Sequence, residues 1–595
     1  MRAHRCGLAL GCALATLFAC SSEPPPQPEP FRPDQICPSP QCPDTGDTQL
    51  RVGFAQAPIN ATPENSAFDP NGDLKDWQDL NCDDHWQLGE TQNPRPSGVW
   101  IFNGPRRPML GIRTEGGDGL EARTIVVKTH GLVLALSQVD LGGYFRERMD
   151  HVRDLLRANG DHVDLVVIGS THNHEAPDTI GIFGRDDANP GVDLRWEDFV
   201  DAQIASTIHQ ALAALEPATL TIGQARVEDA GSDMSHYVGD SRDPVVIDNM
   251  LTLFLFKRPA DGAPLAALVN WAAHPDDTHF ANHLLSAGYP HFLRDGLEQG
   301  FTRLGTTYPP LAPHVLFMQG PLGGQIGPGF QVHAIDDQGN AVHKCTQPQH
   351  PPARGCPDPA RPGQFIQVTP DDCFIFEQAI GHGAATFAHK ALAQGATTIA
   401  DVPISWRSKR FKAHVDNVGF QVALLAGLIN TKEIFDFDRT KPIDMDNRPN
   451  VLTEVHYVRL GPASFMTAPG ELHPELFVGG YDGSRAGTYP IIKPDNPNPP
   501  DLSRAPKPPY VCNLMEGEYR FTLGCTSDYL GYIVAEFNFE LVDPSMGTPW
   551  LDEPPGDHYE ETRSISRFAE TEIVGTQKKL LSYGTAAAPT ACPGR

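Results

Sequence analysis

Thr124-Ile125-Val126-Val127-Lys128, a break of three residues, and Leu132-Val133-Leu134-Ala135-Leu136-Ser137-Gln138-Val139 form the stretch on which the fold turns. Both runs are rich in aliphatic and β-branched residues and are short for helices, so they predict two buried strands in succession. Phe145, Met149, Val152 and Leu156 follow at helical spacing and predict an amphipathic crossover helix. Val163 to Ile168 is again a continuous apolar run, and Phe199, Ile204, Ile208, Leu212 and Leu215 line one face of a second helix. Further buried strands are expected at Met250–Phe256, Pro264–Trp271, Val315–Gln319 and Val455–Met466, with helices near Ile375–Leu392 and Val418–Leu428. This order predicts an α/β fold, a mixed β-sheet core flanked by helices.

The 595 residues are 40% hydrophobic and 20% charged, a globular composition, and the net charge of −28 argues against a nucleic-acid partner. Arg2 and Arg5 precede an apolar run, Gly7 to Ala19, too short to span a bilayer as a helix. Leu17-Phe18-Ala19-Cys20 resembles the lipobox of bacterial lipoproteins. Residues 1–19 are therefore expected to be a lipoprotein signal peptide and Cys20 the lipidated residue, anchoring the protein to the outer membrane, facing periplasm or cell exterior. Nine prolines between Pro24 and Pro43 make residues 20–49 an expected tether. Residues 50–541 are read as the catalytic domain and 542–595 as a C-terminal extension. In an oxidising compartment most cysteines are expected to pair, with Cys37–Cys42 and Cys512–Cys525 as local candidates and one more bridge shared among Cys345, Cys356 and Cys373, the connectivity staying open at this point.

Three polar constellations follow predicted strands, where open α/β sheets place their ligands. The first is Ser170-Thr171-His172-Asn173-His174-Glu175-Ala176-Pro177-Asp178, whose two imidazoles would project from one side if strand geometry persists. The others are Asn270-Trp271-Ala272-Ala273-His274-Pro275 and Ala468-Pro469-Gly470-Glu471. Two imidazoles and a carboxylate with an open position for water are a recurrent ligand set for catalytic zinc, which lowers the pKa of the bound water. Gly239-Asp240-Ser241 does not make a serine nucleophile, because no apolar strand leads into it and Gly-x-Ser-x-Gly is absent.

Taken together, these pieces resemble the neutral/alkaline non-lysosomal ceramidase family from about Leu50 to Leu541. The other matching pieces are Leu50-Arg51-Val52-Gly53-Phe54-Ala55, Ser137-Gln138-Val139-Asp140, Gln319-Gly320-Pro321-Leu322-Gly323-Gly324-Gln325 and Asp528-Tyr529-Leu530-Gly531-Tyr532-Ile533. The resemblance implies a zinc amidase with one Zn²⁺ per chain, held by His172, His274, Glu471 and, by position, Tyr532. Tyr529, three residues earlier, is the alternative ligand and otherwise a substrate-binding residue. His174 is then expected to orient water or substrate or to pass a proton to the leaving amine, and Asp140 to brace one of the imidazoles. The implied substrate is a ceramide-like lipid amide or another small acyl amide. The alternatives are a metal hydrolase of the same fold on another substrate, or a non-catalytic surface-binding lipoprotein. Departures from the family are Gly324 and Gly288 at positions usually acidic, and long insertions bearing Pro and Cys at Gly327–Cys373 and Ser484–Cys512. The stretch after Leu541 is also too short for the family's C-terminal immunoglobulin-like domain, which is not expected here.

Overall fold

The computed structural model describes residues 30–70, 98–102, 107–113, 119–185, 190–229, 233–278, 282–327, 333–344, 371–444, 446–541, 553, 555–585 and 588–592. The expected signal peptide, Cys20, Cys82, Cys345 and Cys356 lie outside these residues. Pro33–Arg595 makes one unit by its contacts; of the other, Met1–Arg32, only residues 30–32 are described.

Three five-stranded sheets carry a mixed α/β architecture. The first contains β1 (Arg51–Pro58), β2 (Glu121–Thr129), β3 (Leu132–Val139) and β4 (Leu165–Ser170), in the order β4-β3-β2-β1 with Glu216–Pro217 at the far edge. The predicted strands β2 and β3 form a hairpin, Thr129 opposite Leu132, and α1 (Arg146–Asn159) crosses over so that β4 pairs with β3 in parallel. Met149, Val152 and Leu156 of α1 and Trp196, Val200, Ile204 and Ile208 of α2 (Leu194–Ala213) pack with Val126, Ala135 and Ile168 as one core.

The second sheet holds β5 (Thr219–Arg226), β6 (Met250–Lys257), β7 (Pro264–Trp271) and β8 (Val315–Gln319), in the order β8-β7-β6-β5, with Thr397–Ile399 beyond β5. Here β7 and β8 are parallel. Helices α3 (Tyr289–Gln299) and α4 (Asp371–Ala393) cover one face through Leu293, Leu297, Phe376, Ile380 and Phe387.

The third sheet contains β9 (Ile404–His414), β10 (Asn450–Leu460) and β11 (Ala463–Thr467). After a two-residue strand, β12 (Glu471–Leu472), it is completed by β13 (Tyr519–Leu523), which pairs with β11 in parallel. β12 pairs in parallel with β14 (Tyr532–Ile533), outside the sheet, Glu471 opposite Tyr532. The remaining faces of all three sheets meet in a shared core that includes Val127, Leu134, Phe254, Leu268, Trp406, Val458 and Phe521.

Two readings of the sequence are corrected here. The expected strand Val455–Met466 is a hairpin, β10 and β11, broken at Gly461-Pro462, because Gly461 takes a left-handed φ of +59°. Cys512 bridges to Cys592, leaving Cys525 as a buried thiol; Cys37–Cys42 is present as expected, and Cys373 is bridged outside the described residues. Part of the expected tether is built into the fold, since Gln35–Cys37 adds an edge strand to β9, Ile36 opposite Arg407. The C-terminal stretch is likewise packed on the body: Gln577 Nε2 donates to the Thr467 carbonyl at 2.8 Å, and Leu580 and Leu581 are buried. Among the described residues no helix is long and apolar enough to cross a membrane.

Candidate metal centre

The parallel strand pairs deliver their carboxyl ends to one place. β4 leads into His172 and His174, β7 into His274, β11 into Glu471, and β13 into the segment with Tyr529 and Tyr532. Glu471 Oε2 lies 2.9 Å from His274 Nε2 and 3.4 Å from His172 Nε2. His172 and His174 meet Nε2 to Nε2 at 3.1 Å. Tyr532 Oη is 3.2 Å from His274 Nε2, and Tyr529 Oη donates to Glu471 Oε1 at 2.6 Å. All six side chains are buried.

The outer ring nitrogens decide what the inner ones can do. His172 Nδ1 faces the Gly142 carbonyl at 2.7 Å and His274 Nδ1 the Gln325 carbonyl at 3.0 Å. A ring nitrogen against a carbonyl must carry the proton, so each neutral imidazole turns its Nε2 lone pair inward. The lone pair of His274 then points at a carboxylate oxygen, an arrangement of two acceptors that a cation between them relieves. Donors about 2.0–2.1 Å from a tetrahedral zinc stand roughly 3.3–3.4 Å from one another, close to the 2.9–3.4 Å separations here. The donor set therefore fits a metal ion, and the ring nitrogens of His172, His174 and His274 all fall within 4.8 Å of one another.

Burial opposes the charge on Glu471, and without a metal His172 and His274 hold the carboxyl well below the usual range only by turning a proton and positive charge toward it; with their lone pairs turned inward instead, a cation takes that place. Burial pushes His174 down to about 3, against Asp276, whose Oδ1 lies 3.3 Å from His174 Nδ1. Burial raises both tyrosine phenols, with Glu471 adding to it and Arg563 pulling the other way.

A glycine-rich turn after β8 holds the parts together. Gln319 Nε2 donates at 2.8 Å to the carbonyls of both Thr171 and Ala273, tying the two histidine segments to each other. Gln325 contributes the carbonyl that orients His274, and its Nε2 donates to Ala272 O at 2.7 Å. Gly323 must be glycine, because a Cβ there would stand 2.7 Å from the Glu471 carbonyl. Buried Arg107 gathers the carbonyls of Phe102, His174 and Asn282 at 2.7–2.9 Å. His172, Cys525 and Ser527 adopt φ of +63°, +47° and +73°, left-handed backbone that non-glycine residues hold mostly at functional sites.

Two sequence expectations change. His172 and His174 do not project together from a persisting strand. The strand stops at Ser170, and the left-handed turn at His172 brings the rings edge to face. Asp140 does not brace an imidazole. It is buried against Arg294, accepting at 2.8 and 2.9 Å, and also takes the Gln138 side chain and the Glu121 N–H. Tyr532 and Tyr529 both reach the ligand set, one at His274 and the other at Glu471, and Tyr529 also lines the adjoining cleft.

Other contributors went unread in the sequence. Gln319 and Gln325 stood inside a matching motif without a role, whereas Gly142 lies two residues after Asp140 and Asp276 directly after Pro275, and neither carried a signal of its own. Tyr559, edge-on to Tyr532 at 5.8 Å, and Arg563 come from the C-terminal stretch, where nothing marked them. The cleft that opens on the ligand set is small and is lined by Phe102, Ile180, Phe183, Phe420 and Arg563 beside the site residues. A second cluster, His151, Asp198 and Asp201, has its carboxylates taken by Arg148 at 2.5–2.7 Å.

No protein-family model and no curated protein matches the chain. Among solved structures it is similar to the neutral ceramidase from Pseudomonas aeruginosa, with a TM-score of 0.52 and 13% identity over 92% of this chain and 76% of that one. It is equally similar to a ceramidase complexed with C2, at a TM-score of 0.52 and 13% identity, covering 92% of this chain and 77% of that one. The chain therefore has the fold of the neutral ceramidases.

Proposed function

We propose that the protein is a zinc-dependent hydrolase of N-acyl amide bonds in ceramide-like or other lipid amides. The observation that carries this reading is the convergence of the inward lone pairs of His172 and His274 with the Glu471 carboxylate. A bound zinc would supply an activated water and polarise the amide carbonyl. His172, His274, Glu471 and Tyr532 would hold it. Tyr529, donating to Glu471 Oε1, fixes the carboxylate's rotation so that Oε2 faces the imidazoles. His174, with Nδ1 toward Asp276, presents Nε2 at the ligand set, where it can take a proton from the attacking water and give one to the leaving amine. The aromatic wall of the cleft accepts the acyl chain. The ceramidase fold supports amide hydrolysis as the reaction class, and the cationic, apolar and Cys20-containing leader supports a lipid-anchored protein at the outer membrane.

The test is to express the chain from Ser21, load it with zinc, and assay a fluorescent ceramide beside a panel of acyl amides. Cleavage of an acyl amide that stops on chelation and returns with zinc is the expected result. A folded, zinc-loaded protein that cleaves none of them would defeat the reading.

A further inference from the structure

Asp178 ends the motif that carries His172 and His174, and it is fully buried. Its Oδ1 accepts from the N–H groups of Ile180 and Gly181 at 2.8 and 3.0 Å, and its Oδ2 accepts from the Phe183 N–H at 2.9 Å. Its own N–H donates to the Trp100 carbonyl at 2.7 Å, which fixes the residue against a neighbouring segment. Glycines make the fit possible. A Cβ at Gly191 would stand 2.1 Å from Asp178 Oδ2, and one at Gly181, whose φ is +101°, 2.3 Å from the Leu428 carbonyl.

The three amides belong to segment 180–183, and Ile180, Ile182 and Phe183 line the cleft beside His172 and Glu471. Packing alone does not hold that segment in place. Ile182 is 38% exposed, and Phe183 is half-buried, edge-on to Phe102 at 5.0 Å. Apolar side chains beside a cleft shed water by folding into it, and the backbone ties to Asp178 oppose that collapse. Among the described residues the carboxylate has three backbone N–H partners and forms no ion pair; burial raises its carboxyl, and the three N–H groups oppose the shift. A buried carboxylate with no basic partner is costly, and what it secures here is the shape of the cleft lining.

We propose that Asp178 is a positioning residue that sets acyl-chain specificity. By gathering the amides of Ile180, Gly181 and Phe183 it keeps the apolar lining apart, so that the first methylenes beyond the scissile carbonyl have a surface to lie on. This rests on the amide-hydrolase reading and deepens it. Asp178 takes no part in making or breaking bonds, and it acts through the side chains of the segment it holds.

The experiment compares N-butanoylethanolamide with N-octanoylethanolamide on the zinc-loaded protein, two amides that differ in four methylenes. In the wild type kcat/KM should rise about two- to fourfold per added methylene, the effect of a CH₂ leaving water. In Asp178→Ala the rise should flatten toward one, carried by KM rather than kcat, with zinc content kept; Asp178→Asn, which retains one acceptor oxygen, should lie between. No rise in the wild type, an unchanged rise in Asp178→Ala, or an equal loss on both amides overturns the proposal. Amide hydrogen exchange on the wild type reads the ties should Asp178→Ala not fold: the N–H groups of Ile180, Gly181 and Phe183 should exchange at least about tenfold more slowly than in Asp178→Asn, and equal rates overturn it. If neither amide is cleaved, calorimetric binding of the same pair separates the two readings. Tighter binding of the octanoyl amide that Asp178→Ala abolishes supports the positioning role although hydrolysis has failed, and equal binding of both amides by the wild type overturns it.

Discussion

Glu471 meets His274 Oε2 to Nε2 at 2.9 Å across 197 residues of sequence. The two side chains come from different sheets, β12 lying beyond the end of β11 and His274 beyond the end of β7. Both strands have a parallel partner, and parallel pairing points the carboxyl ends of neighbouring strands the same way. The candidate ligand set is therefore a consequence of topology: three parallel pairs in three sheets end at one point, and each sequence segment there needs to supply only one or two side chains.

Zinc content should follow that set directly. The wild-type chain is expected to hold about one zinc, and His172→Ala, His274→Ala and Glu471→Gln should each lose most of it and fall to background activity. Elemental analysis after dialysis, alongside circular dichroism to verify folding, checks this. Full zinc in both histidine variants would show that the ligands lie elsewhere.

Asp140 and Arg294 give a contrasting case. Both are buried, joined by hydrogen bonds at 2.8 and 2.9 Å, and neither touches an imidazole. Asp140→Asn should cost about 3–5 kcal/mol of stability by leaving a buried guanidinium uncompensated, with zinc content unchanged. Urea unfolding and metal analysis on the same preparation decide it. Loss of zinc at unchanged stability would restore the bracing role that the sequence suggested.

The contrast also shows what the sequence could and could not disclose. Long apolar runs such as Leu132–Val139 and Pro264–Trp271 were legible to the residue, because strands buried on both faces need continuous hydrophobicity. β9 was not foreseen, because Ile404–His414 interleaves buried Trp406 and Ser408 with half-buried Arg407 and Lys409 on the other face, puts exposed Arg410 next in line after Ser408, and reads as polar. The side chains that meet at the candidate site could be named from their strand-end positions and from a family likeness. The carbonyls that fix their tautomers, Gly142 O and Gln325 O, could not, since a backbone oxygen leaves no mark on residue type. Arg563 was equally hidden, reaching the cleft from a stretch that looked like an appendage.

His283 provides a pH test away from the metal ligands. Burial holds it down to about 4, its Nδ1 hydrogen bond to the Pro108 carbonyl at 2.9 Å opposing and Arg107 reinforcing the shift. Its folded pKa lies below the unfolded value of about 6.5, so on acidification the unfolded chain takes the proton first. The contribution is whole above about pH 6.5 and is lost as pH falls toward 4. Relative to His283→Asn, the wild type should lose roughly 1.4 kcal/mol per pH unit through that window, about 3 kcal/mol in all. Denaturant titrations at pH 7, 6, 5 and 4 measure the difference, and parallel curves for the two proteins would refute it.

His174 lies where a ligand and a proton carrier would both sit. Its Nε2 is 3.1 Å from that of His172, near enough to count as a ligand, and its Nδ1 is 3.3 Å from Asp276. Asp276 also receives the Lys344 ammonium at 3.2 Å, so the carboxylate is held from both sides. A histidine backed by a carboxylate is set up to move a proton, whereas His172 and His274 are backed by neutral carbonyls. His174→Ala should therefore keep its zinc and lose about 10²- to 10⁴-fold in turnover, the range for removing a positioned acid or base. Zinc and kcat are to be measured together on His174→Ala and His172→Ala. Zinc lost from the first and kept in the second would exchange their roles, and wild-type turnover in both would remove the pair from the mechanism.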